Sequence, residues 1–132
     1  SIRIILVGTT HPGNIGAVAR AMKNMGLSDL RLVNPQHFPH EDATARASGA
    51  SDILGRAVVT ETLADAITDC VYVAGASARS RSINWPCMGP RDCAERMSRA
   101  FATHPPSSLN ATAPASARSN ISRAMAAALR RA

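Results

Sequence analysis

Residues 2–8, Ile-Arg-Ile-Ile-Leu-Val-Gly, form a nearly unbroken apolar run, and this run restricts the chain more than any other feature. A strand with one face in water would alternate apolar and polar residues, whereas a continuous run belongs to a strand covered on both faces, as in parallel sheets. The run leads through Thr9 and Thr10 into His11 to Gly26, HPGNIGAVARAMKNMG, which reads as a turn passing directly into an amphipathic helix. Asn14 is the expected N-cap. Ile15, Val18, Ala19, Met22 and Met25 recur at helical spacing as the inward face, and Gly26 supplies the left-handed position that ends the helix. The opposite face carries Gly16, Arg20, Lys23 and Asn24. There a small residue admits a close approach beside a guanidinium and an amide, so this face is the candidate site.

The rest of the chain can be placed relative to that unit. Leu30 to Val33 is a second strand closed by Asn34-Pro35, giving strand, helix and strand in about thirty residues, the size of one βαβ unit. Residues 42–48 read as a short helix and 57–60 as a weak third strand. Residues 61–68 follow as a helix, with Leu63, Ala64 and Ile67 inward and Thr60 as its cap, and 70–75 are a strong fourth strand. This alternation predicts an α/β fold, a parallel sheet with helices on both faces. The fourth strand ends in Gly75-Ala76-Ser77-Ala78-Arg79-Ser80-Arg81, followed by Trp85-Pro86. Ligands of open parallel sheets sit beyond the carboxyl ends of the strands, so this loop and the turn at Thr9 to Gly13 are expected to share one crevice. Two guanidiniums at i and i+2 suit phosphate oxygens, which the planar fork binds bidentately. Taken singly, each residue has a plainer explanation: capping and packing for Asn14, Gly16 and Gly26, solvated charge for Arg20, Arg79 and Arg81, and a core or interface role for Trp85.

Composition narrows the function. At 132 residues and 45% hydrophobic content the chain is expected to hold a single core. With no apolar run of membrane-spanning length, the expectation is a cytoplasmic protein with no membrane partner. Cys70, Cys87 and Cys93 are odd in number and lack partners at ligand spacing, so free thiols and no metal are expected. The net charge of +6 is unevenly spread. From Ser1 to Glu95 nine Lys/Arg balance nine Asp/Glu, and the surplus comes from Arg96, Arg99, Arg118, Arg123, Arg130 and Arg131. An argument for RNA must therefore rest on local constellations. Gly8 and Gly13 have the spacing of a phosphate-binding loop, but Asn14 stands where its lysine belongs, and no G-x-G-x-x-G occurs. His11 and Ser77 have no partners at triad spacing, which leaves nucleophilic catalysis without support. Residues 90–99 are an expected helix opened by Pro90. From Ala102 onward the composition turns to Ala, Ser, Arg and Pro, which divides the chain into a core, 1–101, and an atypical tail, 102–132. No further strand is expected there, and residues 119–131 read as a helix.

Three segments, RIILVGTTHPGNIGAVARAMKNMGLSDLRLVNP, ASGASDIL and VAGASARSRSINWP, together resemble the SpoU branch of the SPOUT RNA methyltransferases, and within it the TrmJ type. The resemblance runs from Ser1 to about Arg99, and the pairing of N-x-G-x-x-x-R with S-A-R-S-R carries it. It implies a trefoil-knotted α/β fold, S-adenosylmethionine as methyl donor, a homodimer, and a cytidine or uridine ribose 2′-hydroxyl in a tRNA anticodon loop as acceptor. Asn14, Gly16, Arg20 and Asn24 fall on the family's first motif, with Arg20 at its catalytic arginine and Gly16 and Asn24 in structural positions. Asn14, Lys23, Arg79 and Arg81 are the implied RNA contacts, and Ala76 and Ser77 the implied donor-pocket residues. The family's further apolar strand, G-R-E loop and S-L-N helix have no counterpart here, since Ser108-Leu109-Asn110 arrives too early. Back-translating residues 110–116 in a shifted frame permits R-D-R-A-G-L-S, close to that loop, so a shifted reading frame in a GC-rich gene fits the tail's composition. The competing expectations are a noncatalytic remnant that binds RNA or dimerises without a complete donor site, and a small nucleotide-binding module.

Overall fold

A computed structural model describes residues 1–76, 87–103 and 125–130. The apolar run becomes β1 (Ile2–Val7), which passes into α1 (Pro12–Asn24) and then β2 (Asp29–Val33). Next come α2 (Glu41–Ala47), α3 (Ser51–Gly55), β3 (Val58–Thr60), α4 (Leu63–Ile67) and β4 (Cys70–Ala76), followed by α5 (Pro90–Thr103) and β5 (Met125–Arg130). The strands lie in the order β3-β2-β1-β5-β4. β1, β2 and β3 are mutually parallel, as the βαβ pattern predicts.

Burial follows from the helices on the two faces. Leu6, Leu30 and Leu32 pack with Ile15, Ala19 and Met22 of α1, Ala43 and Ala47 of α2, and Ile53 and Leu54 of α3. On the other face Ile5 and Val33 pack with Leu63, Ala66 and Ile67 of α4 and with Cys70. Adjacent residues of β1 are thus both buried, on opposite faces, which is why the sequence shows no alternation. Each such Leu or Ile contributes about 1.5–3 kcal/mol of transfer free energy.

Several local expectations are corrected. The N-cap of α1 is His11, not Asn14: His11 is extended, its Nδ1 accepts the Gly13 N–H at 3.1 Å, and Pro12 occupies the first helical position. Asn14 is instead an exposed residue of the first turn. Met25, assigned to the inward face, is the C-cap and is 66% exposed, because the helix is already ending there. Gly26 does adopt the expected positive φ, +69°. The cap of α4 is Thr62 rather than Thr60, since the Thr62 hydroxyl accepts the Asp65 N–H at 3.2 Å. The helix α3 was not anticipated. Where the tail was expected to contain no strand, and residues 119–131 to be helical, β5 pairs antiparallel with both β1 and β4. The knot implied by the resemblance falls on residues outside those described.

Candidate functional site

The carboxyl edge of the sheet is a set of loops tied to one another by main-chain hydrogen bonds. Gly8 N–H donates to Val33 O at 2.8 Å, Gln36 N–H to Thr9 O at 3.0 Å, and Asn34 N–H to Thr60 O at 2.9 Å. The ends of β1, β2 and β3 are therefore fixed relative to the start of α1, which is what a site on this edge requires. β4 reaches the same edge. Leu6 and Ala76 both register with Met125 of β5, so the carboxyl ends of β1 and β4 are level and two strand spacings, roughly 10 Å, apart. The β1 turn and the end of β4 thus lie on one edge of the sheet, and the expected shared crevice involves residues beyond Ala76. Ser77, Arg79, Arg81 and Trp85 lie outside the described residues.

On α1 the polar face divides into three behaviours. Gly16 is buried, and the approach it permits is that of α2: a Cβ at this position would stand 2.1 Å from Ala43 O and 2.9 Å from Arg46 Cβ. The close neighbour expected at Gly16 is therefore another helix. Lys23 is exposed and held by Asp52 of α3 at 2.8 Å, an ion pair that also receives Arg56 at 3.0 Å. Lys23 lowers the Asp52 carboxyl below its ordinary range. Asn14, Arg20 and Asn24 are exposed, and among the described residues Arg20 has no carboxylate partner. A guanidinium with no carboxylate partner among the described residues, on a helix flanking the sheet's carboxyl edge, suits phosphate or ribose oxygens.

One charged group went unnoticed in the sequence. Arg3 lies inside the apolar run and is 1% exposed. Its Nε donates to Asp29 at 2.9 Å, and Nη1 and Nη2 donate to Asp69 at 2.5 and 3.1 Å, with Nη1 also reaching Ala66 O at 2.7 Å. Arg130 closes the cluster from β5, through Asp69 at 2.7 Å and Asp29 at 3.2 Å. Burial alone would depress the Arg3 pKa, yet the two carboxylates hold it above its ordinary value. Burial likewise pushes Asp29 and Asp69 up, and Arg3 overcomes it so that both stand below the usual carboxylate range. Burial raises the neighbouring Cys70 thiol. The detectable signal was an arginine in a two-sided strand, which demands buried carboxylates. The cluster sits at the amino edge of the sheet, about 13 Å along β1 from Val7, and so serves the fold rather than the site.

Comparison with known proteins decides the family. The SpoU rRNA Methylase family matches residues 1–87. The chain belongs to that family. This SpoU-family chain is 62% identical over 93 residues to the tRNA (cytidine/uridine/adenosine-2'-O-)-methyltransferase TrmJ of Pseudomonas aeruginosa (strain UCBPP-PA14), a match covering 70% of the chain and 36% of that protein. It is 52% identical over 106 residues to the tRNA (cytidine/uridine-2'-O-)-methyltransferase TrmJ of Cronobacter sakazakii (strain ATCC BAA-894), covering 80% of the chain and 43% of the relative. Among solved structures, TrmJ from Z. mobilis ZM4 superposes with a TM-score of 0.65 at 39% identity, over 72% of this chain and 43% of the other. These matches bear out the TrmJ-type resemblance and the SPOUT-like fold. The SpoU-family chain spans less than half the length of these relatives. Among the described residues no helix is long and apolar enough to cross a membrane, and no group of three or more His, Cys, Asp or Glu could hold a metal ion.

Proposed function

We propose that this chain acts as an S-adenosylmethionine-dependent tRNA ribose 2′-O-methyltransferase of the TrmJ type, on a cytidine or uridine of the anticodon loop, as a homodimer in the cytoplasm. The observation that carries the reading is Arg20: it stands exposed and without a carboxylate partner among the described residues, on a chain 62% identical to a tRNA 2′-O-methyltransferase over 93 residues. Residues 1–101 form the methyltransferase core in this reading and 102–132 the atypical tail.

Ala76, the described part of the donor pocket, fits a bulky donor. It and Gly75 are exposed at the end of an edge strand, and neither carries more than a methyl group. S-adenosylmethionine supplies an electrophilic methyl when bound. Ser77, next in sequence, is the other residue assigned to the donor and lies outside the described residues. Arg20 would bind a phosphate of the acceptor strand and hold the ribose with its 2′-hydroxyl positioned for transfer, and positioning of this kind contributes much of such an acceleration. A guanidinium has no acceptor site, so Arg20 polarises the hydroxyl without taking its proton. Asn14, Arg79 and Arg81 contact the RNA backbone in this reading, whereas Lys23, the fourth residue assigned to RNA, is engaged by Asp52 of α3 at 2.8 Å and contributes little charge to that contact.

The test is transfer of labelled methyl from S-adenosylmethionine to tRNA, with the product mapped in the anticodon loop. Arg20→Ala should lower kcat/KM by about 100-fold or more, and Arg20→Lys should restore little because a point charge lacks the planar fork. An Arg20→Ala rate within about twofold of wild type would overturn the reading. RNA binding without methyl incorporation, and without heat on titration with the donor, would favour the noncatalytic remnant.

A further inference from the structure

Residues 1–76 are all described, and their six basic side chains, Arg3, Arg20, Lys23, Arg31, Arg46 and Arg56, fall into two groups. Arg3, Lys23, Arg31 and Arg56 each bond a carboxylate, at 2.9, 2.8, 3.3 and 3.0 Å. Arg20 and Arg46 have no hydrogen bond or ion pair to any described residue, and both are exposed. Both lie on the packed pair of helices α1 and α2. Arg20 lies one turn after Gly16 on α1, and Arg46 of α2 rests against the turn before it, from Gly13 to Gly16. Its Cβ stands 2.9 Å from where a Gly16 Cβ would be, and its Cγ 3.5 Å from a Cβ at Gly13. A carboxylate was within reach of Arg46 and is not used: Asp42, four residues earlier on α2, lies 3.7 Å from His40 Nδ1 instead.

We propose that Arg46 is a second phosphate-binding residue, which with Arg20 forms a two-guanidinium seat for the backbone of the RNA acceptor strand across the α1–α2 seam. Gly13 and Gly16 make the seat possible. Without side chains there, the Arg46 stem packs directly on the first turn of α1, running from Gly16 towards Gly13, one turn ahead of Arg20. Two planar forks from adjacent helices match the oxygens of neighbouring phosphates better than one flexible cation would. The inference rests on the proposed RNA-methylating function and adds to it a residue outside its first motif and its arginine loop.

The experiment measures tRNA binding by the full chain across salt concentrations, with methyl-transfer kinetics in parallel. Each phosphate contact contributes roughly 0.7–0.9 to the slope of log K against log salt. Arg46→Gln should therefore flatten the slope by that amount, so that the wild-type advantage shrinks about threefold between about 50 and about 200 mM salt. It should raise KM for tRNA with kcat little changed, whereas Arg20→Gln should lower kcat. Arg46→Lys should recover most of the slope, and Arg56→Gln, which alters a paired cation, should leave it as in wild type. Thermal unfolding of Arg46→Gln at the wild-type midpoint separates lost contact from lost fold, and a variant that unfolds early is replaced by Arg46→Met in the same assay. A wild-type chain that binds tRNA while both neutral variants match its slope and KM overturns the Arg46 assignment alone. A wild-type chain with no salt-dependent tRNA binding overturns the underlying function and this inference with it.

Discussion

Gly16→Ala tests how closely α2 is seated on α1. The added Cβ would lie 2.1 Å from Ala43 O and 3.0 Å from Ala43 C, where a carbon–oxygen contact normally settles near 3.3 Å. The two helices must therefore part by roughly 1.2 Å. The obstacle is a main-chain oxygen in a packed helix, so no side-chain rotation relieves it. Moving α2 also loosens Ala43 and Ala47, which are 1% and 0% exposed, and a radial gap of this order forfeits a quarter to a half of each dispersion contact. Overpacking of this kind costs about 1–3 kcal/mol. Because the obstacle is main chain and cannot rotate away, the cost falls at the upper end, about 2–3 kcal/mol, and after the about 0.5–1 kcal/mol that alanine returns through its helix preference the net loss is about 1–2.5 kcal/mol. With a urea m-value near 2 kcal/mol/M, the unfolding midpoint should fall by roughly 0.5–1.25 M. Gly55→Ala is the internal control. A Cβ at Gly55 would meet nothing within 4 Å, so the midpoint should stay level or rise slightly. Equal midpoints for the two variants, or a Gly16→Ala chain as stable as wild type, would refute the claim that the absent side chain sets the helix spacing.

The buried charge cluster supplies two further predictions. Arg3→Met leaves Asp29 and Asp69 to Arg130 and Arg31, and should destabilise by about 2–3 kcal/mol: breaking a buried pair costs about 3–5, and the 42% exposure of the Asp69 side chain reduces that figure. A denaturation midpoint equal to wild type would contradict this. Asp29 and Asp69 both titrate below the ordinary carboxylate range in the folded chain, so the unfolded chain binds more protons in that window. Their stabilisation is accordingly complete above the unfolded carboxylate value of about 4 and disappears as pH falls through the depressed folded values. Urea midpoints followed downward from about pH 6 should drop steeply in wild type and less steeply in Asp69→Asn, and parallel curves would show that this carboxylate does not govern acid sensitivity.

What the sequence revealed depended on how far each signal extended. β1, β2 and α1 were readable because an apolar run or a helical period persists long enough to exclude alternatives, and the carboxyl-edge placement of the candidate site followed from that order. The α1 cap was misplaced because Asn14 ranks high as a capping residue. Pro12 was the better marker, since a proline at the first helical turn requires the cap to precede it. α3 is five residues long and has no side-chain cap, which leaves almost nothing to detect. β5 was invisible for a different reason: Met125 to Leu129 consists largely of alanine, the strongest helix former, and only pairing with β1 and β4 on both sides makes it a strand. Arg46 could not be singled out from sequence at all, because its relation to Gly13 and Gly16 exists only once α2 packs on α1.

The distribution of carboxylates is more informative about RNA than the net charge. The surplus of basic residues lies beyond Glu95, so the overall +6 says little about α1 and α2, where the body is neutral. Within residues 1–76, Asp29, Asp52 and Asp69 neutralise Arg3, Lys23, Arg31 and Arg56, and three of those four cations have a structural task. Arg3 ties β1 to β2 and to the turn before β4, Lys23 ties α1 to α3, and Arg31 supports Asp29. The two cations without such a task among the described residues flank the Gly13–Gly16 turn, Arg46 packed against it and Arg20 one turn after it, on the helix that starts at the sheet's carboxyl edge. A neutral body can thus present a local positive field, because pairing removes the structural cations from the potential an RNA phosphate meets. On this argument, neutralising a paired cation such as Arg56 changes stability more than RNA affinity, and neutralising Arg20 or Arg46 does the reverse.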